Sequence, residues 1–78
     1  MKELEELLKL LADEIIDLDN TISYYQTLEL TASSNDLSKL NSCSINIKTA
    51  LNEKTIKEHN YSVIREAIDI LKEYNEDN

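Results

Sequence analysis

Residues 4–25 read LEELLKLLADEIIDLDNTISYY. Within them Leu4, Leu8, Leu11, Ile15, Leu18, Ile22 and Tyr25 recur at alternating spacings of four and three. With Leu8, Ile15 and Ile22 at heptad position a, and the other four at d, this is the apolar seam of a packing helix. Such a helix draws its stability from whatever covers the stripe. The seam therefore needs a partner helix, from the same chain or from another copy.

The stripe is wider than a two-stranded coil requires. Leu7 and Leu28 fall at g, Leu10 and Tyr24 at c, Ile16 at b and Ala12 at e. Extra apolar positions of this kind belong to a bundle helix. The pattern predicts helix 1 over residues 2–31, touching at least two neighbours. Glu3, Glu5 and Glu6 suit the positive end of its dipole.

The remaining chain is organised by its breaks. Thr31-Ala32-Ser33-Ser34-Asn35-Asp36 is a run of small polar residues between two apolar patterns, which marks a loop. Ser34 or Asp36 is the expected N-cap of the next helix. Leu37, Leu40, Cys43, Ile47, Ala50 and Leu51 line one face of that second helix, residues 36–53. Residues 52–60 are nearly all polar. Thr55 with Glu58 fits a capping box, and Asn60 is a further candidate cap. A third helix is expected over residues 60–75, with Tyr61, Ile64, Ile68, Leu71 and Tyr74 on one face. Residues 75–78 are expected to fray. An alternative competes with three helices. Leu40, Cys43, Ile47, Ala50, Lys54, Lys57, Tyr61, Ile64, Ile68 and Leu71 keep one heptad phase, broken only in character by the two lysines. Residues 36–75 then form one helix folded back on the first.

Composition supports an all-α fold in either case. The 78 residues include no Gly and no Pro, and hairpin turns between strands draw mainly on Gly, Asn and Asp. The expectation is one small antiparallel helical bundle over residues 1–78. A chain this short buries only about 60% of its unfolded surface. Cys43 is the only cysteine, so no disulfide staples the fold, and homo-oligomerisation is expected to complete it.

Net charge is −8, which disfavours bare nucleic acid and anionic membrane surfaces as partners. The acidic opening Met1-Lys2-Glu3-Leu4-Glu5-Glu6 is unlike a secretory signal. No run approaches the ~18 apolar residues of a membrane span. A lone cysteine fits a reducing compartment, and the expected location is cytoplasmic. Charge also divides along the chain. Residues 1–30 carry two lysines against eight acids, residues 37–60 four lysines against two acids, and residues 61–78 two basic residues against five acids. The basic middle is expected to lie beside helix 1.

Candidate chemistry is sparse. Glu3 and Glu6, Glu14 and Asp17, and Glu66 and Asp69 are spaced at three. Such pairs are similar to those that hold Mg²⁺ in all-α nucleotide pyrophosphohydrolases of the MazG kind. The distances between pairs depart from that family's pattern, so a Mg²⁺-dependent pyrophosphohydrolase is only a remote alternative to a solvated acidic face. His59, the only histidine, is expected at an exposed loop or helix end. Cys43, on an apolar face, is expected in the core. No catalytic, metal or cofactor residues are assigned, and no enzymatic activity is expected.

Two functional expectations remain. One is a non-catalytic interaction protein (a regulator, adaptor or inhibitor of the kind found among phage and mobile-element accessory proteins). Its acidic face, Glu6, Asp13 and Asp17 with Tyr24, would dock on a basic surface of a protein partner. Tyr24 and Arg65, the sole arginine, are candidates for an aromatic and cationic patch. The other expectation is a homo-oligomer that holds an anionic ligand or nucleotide in an intersubunit pocket, through Lys54, Lys57 and Arg65. There the seam Leu4, Leu8, Leu11, Ile15, Leu18, Ile22 and Tyr25 would join copies of the chain.

Overall fold

Two α-helices account for nearly all of the chain: α1, Lys2–Thr31, and α2, Leu37–Glu76. The computed structural model describes residues 2–76. They form an antiparallel hairpin closed by the five-residue turn 32–36. The helix expected at residues 2–31 is α1. The two shorter helices expected after it are one helix, so the three-helix arrangement gives way to the hairpin.

The turn is built from the polar run. Asp36 N–H donates to Ser33 C=O at 2.9 Å, and Asn35 N–H donates to Ser33 Oγ at 3.3 Å. Asp36 is the N-cap of α2: its Oδ1 accepts from Lys39 N–H at 3.0 Å, while its C=O accepts from Leu40 N–H.

The break expected at residues 52–60 is absent because nothing there opposes a helix strongly enough. Neither Gly nor Pro is present. Thr55, a candidate cap by sequence, instead donates its Oγ1 to Leu51 C=O one turn back, at 2.9 Å. Thr49 does the same toward Ile45 C=O at 3.0 Å. Asn60 and His59 are mid-helix and exposed, so His59 is not at a helix end. Asn75 is still helical, whereas Asp77 and Asn78, also expected to fray, lie outside the described residues.

The core is a single line. Leu11 and Ile22 of α1 meet Cys43, Ala50 and Ile68 of α2 as the buried residues. Leu4, Leu8, Ile15, Leu18 and Tyr25 are half-buried along the same seam. The α1 seam thus packs against α2 of the same chain. On α2, Leu40, Ile47, Lys54, Lys57, Tyr61 and Ile64 are half-buried, so the in-phase series across 40–68 is the face that packs.

Two ion pairs fix the register. Lys54 faces Asp19, and Lys57 faces Glu14. Counting outward from them at equal rise puts Ile22 about level with Ala50, Leu11 with Tyr61, and Leu4 with Ile68. Lys2 is then about level with Ile70, and the last turns of α2 pass beyond the start of α1. Leu71 and Tyr74 are accordingly exposed, in place of the packed face expected for both.

The molecule measures 66 × 14 × 14 Å, with a radius of gyration of 18.2 Å. A compact chain of this length has a radius of roughly 11–12 Å. A hairpin has no third element to close over its flanks. Leu7, Leu10, Ile16, Ile45, Ile56, Val63 and Ile70 are therefore exposed.

Candidate functional site

The heptad that makes the α1 seam also sorts its carboxylates. Glu14 is at g and Asp19 at e, the two flanks of the seam, within reach of α2. Lys57 Nζ donates to Glu14 Oε2 on one flank. Lys54 Nζ lies 2.6 Å from Asp19 Oδ1 on the other. The two lysines sit at core positions of α2 and send their ammonium groups outward along flexible stems. The hydrogen bond to Asp19 raises the Lys54 ammonium above the ordinary value of 10.5. Burial opposes that shift, and the charges of Asp19 and Glu58 add to it.

The expected docking residues form one surface. Glu6, Asp13, Asp17 and Tyr24 occur at spacings of seven, four and seven, which keeps them on one face of α1. All four are exposed. Among the described residues, the ion pairs to α2 use Glu14 and Asp19 and leave Glu6, Asp13 and Asp17 out. Tyr24 stands at the end of this face nearer the turn. Its ring meets that of Tyr25 edge-on, with centroids 5.3 Å apart and planes at 73°.

Tyr24 and Arg65 do not form a patch. Their levels in the hairpin differ by roughly 25 Å along the axis. Arg65 Nη1 instead donates to Tyr61 Oη at 3.5 Å, one turn back on α2. It lines a shallow groove with Tyr61, Ser62, Glu66 and Asp69, where the other charged side chains are acids.

Within one chain the candidate ligand residues do not converge. Lys54 and Lys57 turn to opposite flanks and are held by carboxylates, and Arg65 lies two turns further along α2. Of the acidic pairs, Glu14 is engaged by Lys57. Among the described residues no group of three or more His, Cys, Asp or Glu side chains is placed to hold a metal ion. Cys43 is 3% exposed in the seam, in keeping with its reading as a core residue. No helix among the described residues is long and apolar enough to cross a membrane.

Comparison with protein-family models, with curated proteins and with solved structures found no match.

Two features are absent from the expectations above, although the sequence carries a signal for each. Glu14 and Asp19 are the partners of the seam lysines, a role readable from their g and e positions. The second is a largely apolar line on α2 that begins inside the expected break and runs on past it. Its signal is a spacing of four and three from Ile56 onward.

Proposed function

We propose that this chain is a non-catalytic interaction protein that docks the outer face of α1 on a basic surface of a protein partner. One observation carries the reading. The hairpin uses Lys54 and Lys57 internally, while Glu6, Asp13 and Asp17 stay outside those pairs on one exposed face beside Tyr24. Exposed carboxylates in a row steer association with a basic surface and set its register. Tyr24 supplies an apolar body with a polar tip, the type of side chain that anchors interfaces. The same reading has the hairpin complete its packing by self-association.

The test compares the wild-type chain with Glu6→Lys/Asp13→Lys/Asp17→Lys as baits in a native lysate, followed by binding of the captured protein at rising ionic strength. The expected result is a basic protein retained by wild type, lost by the charge-reversed variant and weakened by salt. Equal capture by both baits, or binding indifferent to salt, would contradict the proposal.

A further inference from the structure

We infer that a second copy of this chain covers the outer apolar stripe of α2, giving a four-helix dimer. The inference rests on the self-association proposed above and is independent of the acidic docking face.

The stripe is Ile56, Asn60, Val63, Ala67, Ile70 and Tyr74, at spacings of four, three, four, three and four. That is the periodicity of the seam by which α1 and α2 already pack, so the expected occupant is another helix. It contains no charged residue. Ile56, Val63, Ile70 and Tyr74 are each more than half exposed. The spacing reads the same from both ends, as a two-fold antiparallel contact requires. In that pairing Val63 comes level with Ala67 of the partner subunit, a large residue against a small one.

The hairpin widens the stripe on one side. Lys57, Ile64 and Leu71 are seven apart on α2, and Leu7 and Glu14 are seven apart on α1. Residues at that spacing share a flank, and the Lys57–Glu14 ion pair shows that these two flanks adjoin. Exposed Leu7 and Leu71 thus lie toward the stripe. Ile16 belongs to the opposite flank, in a groove with Glu58 and Ser62.

Area sets the scale. The hairpin exposes 6015 Å². A compact monomer of its 9.0 kDa exposes about 4,900 Å². The excess of roughly 1,100 Å² exceeds the ~800 Å² that each partner contributes to a standard stable interface. The elongated hairpin therefore has surface to spare for an interface of that size, and pairing two stripes keeps both acidic faces outside.

The experiment is light scattering and sedimentation of the full chain over a concentration series, at low and high salt. Wild type is expected to be dimeric, and no weaker at high salt, because salt screens the repulsion between two chains of charge −8. Val63→Glu/Ile70→Glu should stay helical by circular dichroism and raise the dimer dissociation constant by ~100-fold or more. If that variant loses helicity, Ile56→Lys replaces it, with the same shift toward monomer expected. Ile16→Glu should dimerise as wild type does. A monomeric wild type overturns both the self-association and its location. A dimer unaffected by the stripe variants, or broken equally by Ile16→Glu, overturns the location alone.

Discussion

The two helices meet along one line but bring unequal seams to it. On α1 all seven positions from Leu4 to Tyr25 are apolar. On α2 the matching line holds Cys43 and Ala50, which are small, and Lys54 and Lys57, which are charged. The difference shows how a helix with a poor seam still packs from Leu40 to Ile68. Small residues admit close approach near the turn. Tyr61, Ile64 and Ile68 supply bulk at the open end. Between them the half-buried lysines, about level with Ile15 and Leu18, reach carboxylates on both flanks. The charged residues of the α2 seam thus find their partners on α1.

That contrast can be broken most severely at the apolar end. Ile68 is buried about level with Leu4, and Ile68→Ala should destabilise the hairpin by about 2–5 kcal/mol in urea unfolding at fixed protein concentration. A loss under half of that lower bound would mean that the open end does not pack. Next in size is the contrast between two candidate helix starts. Asp36→Ala removes a cap and should cost about 1 kcal/mol, whereas Thr55→Ala removes only an internal hydroxyl bond and should be close to neutral. The reverse ranking would restore a helix boundary at 55.

The smallest effect concerns Lys54. Its pKa is raised in the folded chain. A raised lysine pKa contributes stability that is fully present below the unfolded value and is lost as pH rises through the folded one. Wild type should therefore lose more stability than Lys54→Met on passing from neutral pH to above 10.5, the ordinary value. Thermal unfolding of both proteins across that range measures the difference, and parallel losses would show that the Asp19 pair contributes nothing.

Much of this is legible in the residues. The bounds of α1, its seam, the turn, Asp36 as one of two caps and the burial of Cys43 follow from periodicity and turn chemistry. The continuity of α2 is harder to read. A run such as Asn52 to Asn60 resembles a loop when polarity is taken as the signal. In a two-helix hairpin most positions face water, so polarity alone does not mark a break. The in-phase lysines are the better guide, because residues that hold heptad phase across a polar run still share one face. The acidic outer face is legible because its spacing matches a helix. The absence of a Tyr24–Arg65 patch is not, because composition says nothing of level along the hairpin.

The central claim is that α2 is one helix folded against α1. Spin labels at Lys48→Cys and Lys72→Cys, with Cys43→Ala to remove the native thiol and unlabelled chain in excess, measure it directly. An unbroken α2 predicts a separation of about 36 Å from the helical rise. A separation below roughly 20 Å would mean that residues 52–60 turn the chain back, and would contradict the hairpin.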